Sequence, residues 1–443
     1  MKHISVSEHF TFGKLIRISL PTIAMMIFMS IYWVIDGLFV SNFVGETSFA
    51  AINFVYPVIL IIGAVGSMFG TGGSALIQKL IGEGNKERAS NTFSLITYAG
   101  LIFGFILGLG GIFLLGPIVK AMGASEAMAD DCVLYGRIIC GVMPFYVLQF
   151  QFQSLFPAAE RPRIGLVVTI CAGCTNIIFD ALFIVGFKWG VAGAASSTAL
   201  SQFVGGVIPL IYFSCKNKSL FRLGKIKLDW NAFGKVCLNG CSEFLTNISM
   251  SFVGILYNIQ LMKYIGENGV SAYGVLMYVS MVFMGIFVGY TMGIAPIISY
   301  NYGAKRPEEI KSILVKSLIF IWITSVIMFV LGEALARPMA ELYVGYDPEL
   351  RDLTIRAFYF FSISFIFVGM AIFGSSFFTA LNNGVVSAII SFLRTLVFQV
   401  LAVMLLPLAF GVDGIWSSLI VAEFMAAFLS SIFIFAYRKR YGY

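Results

Sequence analysis

The chain has 443 residues, of which 59% are apolar and only 12% charged, with a formal net charge of +7. Soluble domains carry about 25% charged residues, so this composition excludes an ordinary water-soluble fold. The basic residues are scattered over several short segments and not gathered on one face, which argues against nucleic-acid binding.

Twelve apolar runs are long enough to cross a hydrocarbon core of about 30 Å. They fall at roughly 15–42, 49–78, 92–118, 132–157, 164–187, 190–213, 236–263, 270–300, 312–335, 354–380, 386–409 and 413–437. The first run lacks a small-residue cleavage motif and is too long for a signal peptide, so it reads as a retained span. It carries Pro21 and, nine residues before Gly45, Asp36. The second contains Gly70-Thr71-Gly72-Gly73-Ser74, which lacks the following Lys of a phosphate-binding loop and reads as a close helix contact. The fifth holds Cys171, Cys174, Asn176 and Asp180, and the sixth holds Thr198. A Lys- and Arg-rich connection, 214–235, separates the sixth span from the seventh. Glu243 opens the seventh, Arg394 lies in the eleventh and Glu423 in the twelfth.

The two halves resemble each other at a constant offset of 221 residues. Phe12-Gly13-Lys14 recurs as Phe233-Gly234-Lys235, Gly82 as Gly303 and Pro117 as Pro338. Gly190-Val191-Ala192-Gly193-Ala194-Ala195-Ser196-Ser197 aligns with Gly411-Val412-Asp413-Gly414-Ile415-Trp416-Ser417-Ser418. Six spans per half make the halves parallel repeats about an axis along the membrane normal, the architecture of transporters whose site lies between two lobes. Of the 29 Lys and Arg residues, 21 fall on the side of the termini, 7 on the other, and Arg394 is inside a span. By the positive-inside rule both termini are cytoplasmic.

Enzymatic and nucleotide-driven chemistry has no foothold. The histidines are His3 and His9, both in the N-terminal tail. No zinc-protease, nucleophile-elbow or Walker motif is present, so transport is expected to be secondary and no cofactor is expected. The seven cysteines form no metal-ligand pattern, and Cys171-x-x-Cys174 has no second pair or nearby His.

Charge inside hydrocarbon costs at least about 2.5–3.5 kcal/mol, so Asp36, Asp180, Glu243, Arg394 and Glu423 each need a reason. Counted at 1.5 Å per residue from the outer loops, Asp36, Asp180 and Thr198 sit at one depth, with Asn176 one turn from Asp180. Two carboxylates, an amide and a hydroxyl suit a hard cation such as Na⁺, and the acid pair equally suits proton carriage. Pro21 removes a helical hydrogen bond and permits a bend. Glu243 faces the cleft between lobes or pairs with Lys235 or Arg17, whereas Arg394 and Glu423 are expected to pair with each other. Met25, Tyr32, Tyr257 and Met281 are the kind of adaptable residues that, with Glu243, would line a cleft for hydrophobic ligands.

Several segments together resemble the MATE (multidrug and toxic compound extrusion) family, and within it the branch that exports cationic drugs. These are Ile18-Ser19-Leu20-Pro21, Ile35-Asp36-Gly37-Leu38-Phe39-Val40, Ala158-Ala159-Glu160-Arg161-Pro162-Arg163, Asn176-Ile177-Ile178-Phe179-Asp180 and Gly193-Ala194-Ala195 with Thr198. The resemblance spans essentially the whole chain. It implies an all-α integral membrane protein of twelve transmembrane helices in two pseudo-symmetric six-helix lobes: an N-lobe 1–213, a cytoplasmic linker 214–235 and a C-lobe 236–443. It implies a secondary antiporter that moves organic cations out of the cell against Na⁺ or H⁺, a monomer in the lipid bilayer of the cell membrane. Asp36, Asn176, Asp180 and Thr198 would form the cation site, and the first helix would bend at Pro21. The tenth span contains no acid after Arg356, unlike branches that place a coupling carboxylate there, which shifts weight to the first lobe. The alternative is a flippase for lipid-linked precursors, of the related superfamily; its members commonly have fourteen spans and a basic cleft.

Overall fold

The computed structural model describes residues 8–217 and 219–443; Lys2, His3 and Lys218 lie outside the described residues. The described residues are mostly helical: α1 (Phe12–Phe43), α2 (Glu46–Gly82), α3 (Lys86–Ala121), α4 (Glu126–Gly141), α5 (Met143–Ala158), α6 (Pro162–Asp180), α7 (Gly190–Ser214), α8 (Trp230–Tyr264), α9 (Glu267–Gly303), α10 (Pro307–Val344), α11 (Pro348–Ala380), α12 (Gly384–Phe392), α13 (Gln399–Phe410) and α14 (Val412–Tyr441). Single π-helical turns, Ala181–Gly186 and Leu393–Phe398, extend α6 and join α12 to α13. Among the described residues eleven helical segments are long and apolar enough to span a membrane, and α4 with α5 makes a twelfth, bent by 65°. That bend interrupts the run read at 132–157. Pro144 sits in the first turn of α5 and has no N–H to continue the helix from α4.

The duplication is visible in the backbone. Gly45 and Gly266, at matching positions, both precede a helix at positive φ (115° and 86°), and Gly190 and Gly411 share φ 57°. A side chain is disfavoured in that region, which explains why these glycines recur through the repeat. The connection between the lobes is shorter than the sequence suggests, because α8 starts at Trp230. Asp229 caps it, accepting from Ala232 N (3.0 Å) and from Arg88 Nε (2.8 Å). The Ala232 N–H, with Arg88, holds this carboxyl below its usual range. Asp229→Ala is therefore expected to lower stability by about 1 kcal/mol at neutral pH, read as a lower Tm of the purified protein. A depressed carboxylate stabilises above its unfolded pKa, so the deficit should begin to shrink as pH falls below about 4 and should be lost as pH falls through the lower folded-state pKa.

The second lobe has one continuous apolar core, which also takes in Phe10, Leu15 and Ile23 from the start of the chain. The first lobe has two. One lies in the half away from the termini, around Val55, Ile139 and Ala195; the other lies towards the termini, around Ile77, Phe152 and Phe213. On α5 the change from one cluster to the other falls at Val147–Leu148, next to the buried Gln149, Gln151 and Gln153.

The lobes meet along α1 with α9 and α2 with α8, and the closest approaches are on the side of the termini. A methyl group built at Gly82 would lie 2.7 Å from the Ala304 nitrogen, and one at Gly303 would lie 3.0 Å from Cα of Lys79. These two glycines match through the repeat, so each lobe presents the same residue to the other. Gly72 likewise abuts Gly240, and its counterpart Gly293 abuts Ser19. Farther out, Ser30 Oγ donates to the Met281 carbonyl at 3.0 Å. Such small-residue contacts let backbones touch where apolar lipid provides no hydrophobic drive.

Candidate functional site

The C-terminal third of α1, the end of α6 and the first half of α7 converge inside the first lobe. Asn176 Nδ2 on α6 donates to Asp36 Oδ1 on α1 at 3.3 Å. Ser197 Oγ on α7 donates to Asp180 Oδ1 on α6. Asn176 and Asp180 are buried, and Asp36 is half-buried beside them. Immediately after Asp180 the helix widens into its π-helical turn, a local irregularity frequent at functional sites.

A cavity of about 30 Å³ lies against this group, lined by Tyr32, Asp36, Tyr135, Tyr146, Asn176 and Thr198 among others. One water occupies roughly 10–15 Å³ on this measure, so the space suits an ion with a water and not a drug-sized molecule. Asn176 Oδ1 is buried without a hydrogen-bond partner, and Asp180 Oδ2 and Thr198 Oγ1 lack a well-formed one, although Asp36 and Tyr135 lie beside them. Each such orphaned polar atom costs about 1–3 kcal/mol. Among the described residues no three His, Cys, Asp or Glu side chains gather to hold a metal. The donors are oxygens from two acids, an amide and a hydroxyl, which fits a hard cation or a proton better than a transition metal.

The structure thus brings Asp36, Asn176, Asp180 and Thr198 together. Residue spacing alone missed Ser197 and Tyr135. Ser197 could have been found through its recurrence as Ser418; Tyr135 left no local signal. Pro21 lies within an unbroken α1, between Ser19 and Thr22, whose side chains face Gly293. The five expected cleft residues lie in different surroundings. Tyr32 lines the cavity just described, and Met25 is buried. Tyr257 lies inside the second lobe, its hydroxyl 2.7 Å from Ser418 Oγ. Met281 is exposed, and Glu243 is half-buried. Glu243 pairs with neither Lys235 nor Arg17; Arg394 is the opposite charge it faces. Arg394 and Glu423 do pair, through Nε to both carboxylate oxygens (2.9 and 3.2 Å) and Nη2 to Oε1 (3.1 Å). Cys171, Cys174 and Cys215 are exposed and so do not pack between helices as small buried thiols would.

A duplicated bundle of membrane-spanning helices, with a buried polar pocket in one lobe and no catalytic constellation among its described residues, defines a polytopic membrane transporter. The MatE family model matches residues 21–182 and again 244–405, most of the chain and once in each half. The chain belongs to the MatE family and is not an enzyme. It is 25% identical to the multidrug export protein MepA of Staphylococcus haemolyticus, over 98% of this chain and 95% of that one. A MATE solved in complex with MaL6 superposes with a TM-score of 0.92 at 21% identity, covering 98% of each chain. A multidrug-resistance MATE transporter of the MOP superfamily, solved in an outward-facing conformation, superposes with a TM-score of 0.91 at 20% identity, over 100% of this chain and 99% of that one.

Proposed function

We propose that this protein is a cation-coupled exporter of hydrophobic organic cations in the cell membrane, with both termini cytoplasmic. Asp36, Asn176, Asp180 and Thr198 take up Na⁺ or H⁺ from outside. Substrate occupies the cleft between an N-lobe (1–213) and a C-lobe (236–443) joined by the 214–235 linker. Occupation of the carboxylate pair bends α1 near Pro21 and favours release of the drug. Rocking of the lobes about the glycine seam then re-exposes the cleft to the cytoplasm. The protein works as a monomer.

The observation that carries this reading is the acid pair next to a cavity too small for a drug, which Asp36, Asn176 and Thr198 line. Ion and substrate then bind at separate places and are coupled through the conformational change. The multidrug-export role of its MepA relative supports the substrate class. An anionic lipid headgroup is the poorer substrate, since the intramembrane guanidinium of Arg394 is already neutralised by Glu423.

The test is efflux of ethidium from proteoliposomes, driven in turn by a Na⁺ gradient and by a pH gradient. One of the two is expected to drive export and to stop doing so when collapsed. Efflux indifferent to both gradients would sink the proposal.

A further inference from the structure

The cavity does not end at the carboxylates. It continues to Gln149 on α5 and to Ser201 and Gln202 on α7. Gln149 and Gln202 are 8% and 6% exposed, and the Oε1 atom of each has no hydrogen-bond partner. Gln202 follows Thr198 by four residues, so it lies on the same face of α7 and about 6 Å closer to the side of the termini. The buried hydroxyl of Tyr146, one turn before Gln149, lies beside that of Tyr56. Gln153, a further turn along α5 and 7% exposed, extends the same polar face. This end of the cavity therefore offers neutral oxygens and no carboxylate. Neutral carbonyl oxygens bind a metal cation loosely enough to pass it on, and they cannot store a proton.

The second lobe shows what this level can hold. The offset of 221 carries Gln202 onto Glu423 and Gly173 onto Arg394. There a guanidinium sits on the carboxylate at 2.9 Å. The twin lobe thus keeps a tethered cation at the level where the first lobe has an open amide and a glycine without a side chain.

We propose that Gln149, Ser201 and Gln202 form a second, weaker station for Na⁺, one helical turn below the Asp36–Asp180 pair, through which the ion leaves towards the side of the termini. This rests on the cation-coupled reading above and narrows its ion to Na⁺.

The test uses the full-length protein in nanodiscs with ²²Na⁺ as the probe. Gln149→Leu and Gln202→Leu should each slow ²²Na⁺ release about tenfold, the loss of one ion–dipole contact, while equilibrium affinity, set by the carboxylates, moves less than about threefold. Gln202→Glu restores the acid of the twin lobe and should tighten Na⁺ binding about tenfold, a gain that misfolding cannot imitate. Unchanged release in both Leu variants, with no tightening by Gln202→Glu, overturns the station and leaves the carboxylate site standing. A wild-type protein that binds no ²²Na⁺ and exports on a pH gradient alone overturns the station but preserves the proton-coupled form of the function. Normal coupled transport by Asp36→Asn and Asp180→Asn would instead defeat the function itself.

Discussion

Asp180→Asn is expected to cut cation-driven export by about a hundredfold, the upper range of a coupling free energy between two sites. Asparagine keeps the shape of the side chain, and its carbonyl can still accept from Ser197 Oγ, so the fold should survive. What disappears is the negative charge. Asp36→Asn should behave alike, because Asp36 and Asp180 are close neighbours and, on the proposed mechanism, act on one ion. The double variant should be little worse than either single one, since groups that work as a unit are not additive. The measurement is gradient-driven efflux alongside equilibrium binding of the same drug. Binding of the drug should stay within a few-fold of wild type, because the substrate does not fit this cavity. Wild-type rates in both single variants would remove the first lobe from the coupling mechanism.

The second large effect concerns stability. Arg394 and Glu423 form a bidentate pair whose side chains are 9% and 1% exposed. Removing one partner leaves a charge in an apolar surrounding, so Arg394→Ala or Glu423→Ala should each cost about 3–5 kcal/mol. Replacing both by apolar residues of similar volume, Arg394→Met with Glu423→Leu, should recover most of that loss, because the desolvation penalty is removed together with the attraction. Thermal unfolding of the purified protein in detergent would show the two single variants well below wild type and the double variant near it. Equal destabilisation by all three would mean that packing, and not charge, holds this part of the second lobe together. Arg394 lies in the π-helical turn Leu393–Phe398, much as Asp180 directly precedes Ala181–Gly186. In both lobes a widened turn accompanies an intramembrane charge.

The repeat also explains why the lobes differ. Asp36 has Tyr257 as its counterpart, and Ser197 has Ser418. In the first lobe the serine donates to Asp180; in the second it bonds to the tyrosine hydroxyl. The scaffold survived duplication, while the charges were rearranged: open oxygens on one side, a closed ion pair on the other.

Much of this could be read along the chain. The depth of Asp36, Asp180 and Thr198 followed from helical rise and loop position, and the pairing of Arg394 with Glu423 followed from the cost of isolated charge in lipid. The cleft residues were a different matter. Tyr257 and Met281 occupy spans that look much alike in composition, yet one is buried against Ser418 and the other exposed. Hydrophobicity says that a residue is in the membrane; it does not say which face of its helix meets lipid, protein or a cavity, because both neighbours are apolar.

The sequence by itself determined the membrane class, the duplicated six-helix lobes and the set of intramembrane acids. These rest on span length, a fixed offset and the energetics of charge, all local along the chain. Only the tertiary structure decided that α1 lends Leu15 and Ile23 to the core of the opposite lobe, that the fourth span breaks before Pro144, that Ser197 bonds to Asp180, and that Tyr135, Gln149 and Gln202 join the cavity. Those outcomes depend on how helices rotate and lean to bring backbones into contact, and that is settled by packing between segments far apart in sequence.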